Sequence, residues 1–164
     1  FKSLNPNSTV PVINDNGFIL YESNAIIKYL SNKNGFLNLN EDKTVALCNQ
    51  WMDWASFTLA APCATVTLNT MVLPEEKRDS NKVSNSKEQI LSLLQILDDH
   101  LINKKFIVGD IFSLADIPAG CWYNRCLNLG LDLSRFNRIK SWGSRLTERK
   151  AYQSAVIEAP LPPN

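Results

Sequence analysis

Two dipeptides near the start of the chain, Val10-Pro11 and Glu22-Ser23, combine residue types and spacing that can do chemistry. A proline at the mouth of a strand removes one backbone donor, and an X-Pro bond tolerates the cis form far better than any other peptide bond. A fixed bend there would present unpaired backbone groups to an extended ligand; an ordinary trans proline at a strand start is the other reading. Ser23 falls where an extended run gives way to a helical pattern, so free amides, the helix dipole and its own hydroxyl all favour an anion. Read alone, the Glu22-Ser23 pair is more simply a helix cap.

The other reactive residue types point elsewhere. Cys48, Cys63, Cys121 and Cys126 are scattered and include no CxxC pair, so they are expected to be small buried hydrophobes rather than a disulfide, zinc or redox framework. The one histidine, His100, follows Asp98 and Asp99 near the end of a predicted helix and is expected to be solvated, because the sequence supplies no partners for catalysis or metal binding. A formal net charge of +1, with 20% charged residues and no dense Lys/Arg cluster, gives no footprint for nucleic acid or anionic lipid. No apolar run approaches the ~20 residues that cross a bilayer, and the start of the chain lacks a basic region followed by an apolar stretch. A soluble, cytosolic chain with small or neutral partners is expected.

Certain elements must position the two dipeptides. The β-branched and aromatic runs at 10–13 and 18–21, joined by Asn14-Asp15-Asn16-Gly17, predict a hairpin whose Gly17 takes positive φ. From Ser23 the spacing of Ala25, Ile26, Tyr29 and Leu30 predicts a helix ending near Asn34, with Gly35 as a left-handed cap. A polar connection at 38–43 marks the domain boundary. Everything beyond reads helical: a long segment from about Glu41 to Val72 that Pro62 bends or divides, a charged stretch at 74–86 that is a loop or a weak helix start, and a core stripe at Ile90, Leu93, Leu94, Leu97 and Leu101. Trp142, Leu146 and Tyr152 mark the last helices before a Pro160-Leu161-Pro162-Pro163 tail. In Phe112-Ser113-Leu114-Ala115-Asp116-Ile117, Ser113 can cap, Asp116 can return a bond to the Ser113 amide and Phe112 can staple against Ile117. This is a structural box, not a chemical one.

Three separated stretches then carry a resemblance: Asn5-Pro6-Asn7-Ser8-Thr9-Val10-Pro11-Val12-Ile13, Leu20-Tyr21-Glu22-Ser23-Asn24-Ala25-Ile26, and Gly109-Asp110-Ile111-Phe112-Ser113-Leu114-Ala115-Asp116-Ile117. In order and spacing the chain resembles the cytosolic glutathione transferase superfamily. Gln50-Trp51-Met52-Asp53-Trp54 and Leu146-Thr147-Glu148-Arg149 are similar to its bacterial members in particular. The resemblance implies an α/β thioredoxin-like N-terminal portion over 1–35, a hairpin plus helix that is incomplete, followed by an all-α bundle over 41–164. The family's first strand, first helix and second strand would then precede Phe1, and with them the Ser, Tyr or Cys that activates the thiol, so no catalytic residue is assigned.

The resemblance also implies roles. Val10 would pair its backbone with the cysteinyl part of glutathione across a cis bond to Pro11, Ser23 would hold the γ-glutamyl carboxylate, and Glu22 would face the γ-glutamyl ammonium. Asp53 would reach the same group across a homodimer, or is simply solvated. Phe57, Ala60, Ala61, Trp122 and Tyr123 would line an electrophile pocket between the domains, though an aromatic at helical spacing is more often core than pocket. Thr9 stands where the family often has a longer polar residue for the glycyl carboxylate. The implied activity is attack of glutathione thiolate on small electrophiles in detoxification, with glutathione as co-substrate and no metal. Alternatives are glutathione-dependent thiol reduction or dehalogenation on the same fold, or a non-catalytic protein-interaction module.

Overall fold

A computed structural model describes residues 2–37 and 41–158. The residues at 38–40 of the polar connection and the Pro160-Leu161-Pro162-Pro163 tail lie outside the described residues. The chain divides into two compact units, Phe1–Ala46 and Leu47–Asn164.

In the first unit, strands β1 (Val12–Asp15) and β2 (Phe18–Tyr21) pair antiparallel, with Val12 opposite Tyr21 and Asp15 opposite Phe18. The first strand starts two residues later than its β-branched run predicts. Pro11 has no N–H to give a ladder, and the Val10-Pro11 bond is cis, the form the resemblance implies. The turn is the two residues Asn16 and Gly17, both at positive φ, and the Gly17 amide donates to Asn14 Oδ1 at 2.8 Å. Helix α1 (Ser23–Asn34) ends on Gly35 at φ 66°, as its sequence predicts. It is tied back to the hairpin by Asp15, whose carboxylate accepts from Tyr29 Oη at 2.5 Å and from Lys33, with the Tyr29 ring 5.2 Å from that of Phe18.

The long predicted segment is one continuous run, Asp42–Val72. It comprises α2 (Asp42–Asp53), a π-helical turn (Trp54–Leu59), α3 (Ala60–Thr67) and a second π-helical turn (Leu68–Val72). Pro62 lies inside α3 without breaking it. The carbonyl four residues back belongs to the first π turn, where bonding runs five residues ahead and an α-type partner is not required. By length and composition this 31-residue run passes as a bilayer-crossing helix, which corrects the expectation that nothing here approaches that length. Its Trp51, Met52, Ala55, Leu59, Cys63 and Val66 are instead buried in the protein's own core.

Helix α4 (Ser80–His100) begins within the charged stretch, capped by Asp79, which accepts from the Lys82 amide at 3.0 Å. It packs against α3 and against α6 (Asn137–Thr147), and α5 (Asp116–Asn128) packs against α3 and α6. A short α7 (Lys150–Tyr152) follows. Ile90, Leu94, Leu97, Leu101, Ile139, Trp142 and Leu146 close the core. Cys48, Cys63 and Cys126 are buried as expected, with the last two sulfurs 3.6 Å apart; Cys121 is exposed, on a side of α5 that the bundle leaves uncovered.

Two buried carboxylates fasten the helices. Asp98 on α4 accepts from the Arg138 and Ile139 amides at 2.9 and 3.0 Å, capping α6 from another helix, and from Arg138 Nη1 at 2.8 Å. Asp116 realises half of the predicted box: its Oδ2 accepts from the Ser113 amide at 2.8 Å. The Ser113 hydroxyl does not cap the helix but donates to the same oxygen at 2.9 Å. Asp116 Oδ1 takes the Ile107 amide and Trp142 Nε1 at 3.0 and 2.8 Å. Phe112 lies against Phe106 and under the Arg149 guanidinium. On α6, Gly143 lets the Tyr123 ring approach so closely that a Cβ there would stand 2.4 Å from it.

His100 is not solvated. Its ring stacks 4.1 Å from that of Trp51, Nε2–H donates to the Ile107 carbonyl at 2.8 Å, and Lys104 Nζ stands 3.5 Å from Nδ1. Burial, with the Lys104 charge behind it, pushes the imidazole below its ordinary value of 6.5. The unfolded chain therefore protonates first as pH falls, so the contribution is full about a unit above pH 6.5 and is lost as pH falls through 6.5 towards the lower folded value. Urea melts should show stability falling between about pH 7.5 and 5.5, where no other side chain ordinarily titrates, and His100→Gln should level that slope. Equal slopes in the two proteins would contradict the assignment.

Candidate functional site

The loop before β1 is built on Asn5, a buried side chain. Its Nδ2 donates to the Thr9 carbonyl at 2.7 Å and to the Thr9 hydroxyl at 3.2 Å, and its Oδ1 accepts from the Asn7 amide at 3.0 Å. This fixes the turn that delivers Val10, which is 79% exposed. No described residue bonds to the Val10 amide or carbonyl. The Thr9 hydroxyl is already engaged by Asn5.

The hairpin register brings the second dipeptide to the same place. Val12 and Tyr21 are the last pair of the ladder, so Val10-Pro11 enters and Glu22-Ser23 leaves the hairpin at the same end. Ser23 is the first residue of α1 and is exposed, as is Glu22. The cap reading of this pair fails in its simplest form, because Glu22 occupies the N-cap position and its side chain makes no capping bond. Glu22 also holds φ 71°, ψ 116°, a backbone conformation that non-glycine residues avoid and that costs about 1–3 kcal/mol. Unpaired backbone just before β1, a 12-residue helix start without a side-chain cap and an exposed carboxylate in strained backbone thus fall at one end of the hairpin. Such an edge can take an extended backbone, an anion and a cation at adjacent points.

In the second unit, Asp53 is exposed at the end of α2, and Phe57 in the π turn is 73% exposed. Ala60 and Ala61 open α3, the first half-buried and the second exposed. A cleft of about 450 Å³ runs between Ala64, Leu68, Val72 and Trp122, with Thr65, Thr67 and Arg125 supplying its polar groups. Of the five predicted electrophile-site residues, Trp122 lines this cleft. Tyr123 is turned the other way, buried with its ring 5.6 Å from that of Trp142. Sequence reasoning missed Arg125; no spacing marks it, and its interest arises only from what the fold leaves around it.

A β-hairpin and helix bearing this edge, followed by an all-helical unit, is the arrangement of a glutathione transferase, and the chain belongs to the glutathione S-transferase family. The family's C-terminal domain model matches residues 59–150 and its N-terminal domain model residues 1–33. The chain is 32% identical over 161 residues to Glutathione S-transferase GstB of Escherichia coli K12, covering 96% of this chain and 77% of that protein. A theta class glutathione S-transferase from Xanthomonas axonopodis pv. citri, solved with glutathione bound, superposes with a TM-score of 0.89 at 30% identity, over 96% of this chain and 77% of that one. Elongation factor 1-gamma of Rattus norvegicus is 32% identical over 117 residues, 71% of this chain and 26% of that protein.

Proposed function

We propose that this chain grips glutathione for transfer to small electrophiles. The observation that supports the reading is the hairpin register, whose last pair, Val12 and Tyr21, leaves Val10-Pro11 and Glu22-Ser23 at the same end of the hairpin. In this reading the Val10 amide and carbonyl pair with the cysteinyl backbone as an added strand. The Ser23 hydroxyl and the first amides of α1 take the γ-glutamyl carboxylate, and Glu22 faces the γ-glutamyl ammonium. Asp53 of a second copy in a cytosolic homodimer adds a further carboxylate for that ammonium. The electrophile is seated by Phe57, Ala60, Ala61 and Trp122; Tyr123, packed on Trp142, is not among them. The thiol of bound glutathione, held as thiolate, attacks the electrophile and expels its leaving group. Similarity to GstB and to the glutathione-bound theta class enzyme supports this.

Ser23→Ala should weaken glutathione binding by about 1 to 3 kcal/mol, the range for a lost hydrogen bond to a charged group, and Glu22→Ala should also weaken it. Unchanged affinity by calorimetry in both variants would discard the assignment. A second reading, a non-catalytic protein-interaction module, has the similarity to elongation factor 1-gamma in its favour. The native chain decides between them: failure to bind glutathione at all favours the module.

A further inference from the structure

Arg125 lines the cleft on α5, yet its guanidinium has no hydrogen-bond or ion-pair partner among the described residues, and Nη1 is sealed from solvent. Nη1 is closed to a guest as it is to water, so an acceptor in the cleft would meet the guanidinium's other N–H groups, which have no partner among the described residues either. No carboxylate lines the cleft. Its two hydroxyls have spent their protons on backbone, Thr65 Oγ1 on the Ala61 carbonyl at 3.1 Å and Thr67 Oγ1 on the Cys63 carbonyl at 2.9 Å. With those protons spent, the side-chain donors left to a guest are the guanidinium, the one cation, and the indole N–H of Trp122. The other walls, Ala64, Leu68, Val72 and Trp122, are apolar, and Leu68 and Val72 are exposed as they stand. An apolar cleft with a single fork-shaped cation suits a molecule with an aryl or alkyl body and one planar anionic end, since a carboxylate can accept two parallel N–H bonds from a guanidinium.

We infer that this cleft selects apolar molecules bearing a carboxylate, held by Arg125, and that the electrophiles this protein accepts are of that class; the second half rests on the transferase reading above. The test compares 4-phenylbutanoate with its uncharged analogue 4-phenylbutanamide, titrated into the full chain by calorimetry, with quenching of tryptophan fluorescence as a second signal because Trp122 lines the cleft. The acid should bind about tenfold or more tightly than the amide. R125Q should bring that ratio close to one, and R125K, which keeps the charge but loses the fork, should retain only part of it. The inference is overturned by a native chain that binds neither probe or does not prefer the acid, or by a ratio that survives R125Q. Should R125Q fail to fold, salt decides on the native protein: rising ionic strength must narrow the ratio, and an unchanged ratio overturns the inference. A parallel glutathione titration separates the two readings. An acid preference lost in R125Q, in a chain that does not bind glutathione, upholds the cleft assignment and removes the transferase reading alone.

Discussion

Asp116→Ala is expected to cost the fold about 3 to 5 kcal/mol, a large share of the 5 to 15 kcal/mol that holds an ordinary domain together. The carboxylate is wholly buried and gathers donors from four groups: the Ile107 amide, the Ser113 amide, the Ser113 hydroxyl and the Trp142 indole. Each donor stranded by truncation costs about 1 to 3 kcal/mol; water entering the space, and relief from burying a charge, offset part of that. Asp116→Asn is the sharper variant. It keeps the volume, but one acceptor oxygen becomes an NH₂ group that must face donors, so it too should destabilise well beyond 1 kcal/mol. Urea midpoints of both variants check this, and a loss under about 1 kcal/mol in each would show that the network does not hold α5 and α6 together.

Gly143→Ala is expected to destabilise by about 2 kcal/mol although alanine is the better helix former by about 1 kcal/mol. The added methyl would meet two ring carbons of Tyr123, at 2.4 and 2.7 Å, and its hydroxyl oxygen at 2.7 Å, and that ring is itself held against Trp142. The sign should therefore depend on residue 123. With Tyr123 already replaced by alanine, Gly143→Ala has nothing to strike and should stabilise slightly. A double-mutant cycle without this reversal would refute the steric account.

The first unit is largely legible in the sequence because its determinants are local. Alternation, an Asn-Gly turn and a glycine at a helix end specify the hairpin and α1 within 35 residues, and the same local register puts Val10 and Ser23 at one end of the hairpin. The second unit is legible only as a set of helices. Asp98 reads as one more acid beside a histidine, but its partners are the amides at 138 and 139; Asp116 reads as half of a box, but one of its oxygens serves residues 107 and 142. Nothing in local spacing carries those pairings. The π turns mislead periodicity in another way, since bonding five residues ahead shifts the face presented by every residue after Trp54 relative to a regular 3.6-residue pattern. That shift, with the helix crossings, governs which side chains line the cleft, so Trp122 was foreseeable and Arg125 was not.

The stacking of His100 on Trp51 gives the helical unit a built-in spectroscopic label. A chain with one histidine contributes one pair of imidazole carbon-bound proton resonances, and an indole ring centred 4.1 Å away must displace them by its ring current. Loss of that displacement on heating or in denaturant would report separation of α2 from the end of α4, at one residue and without any introduced probe.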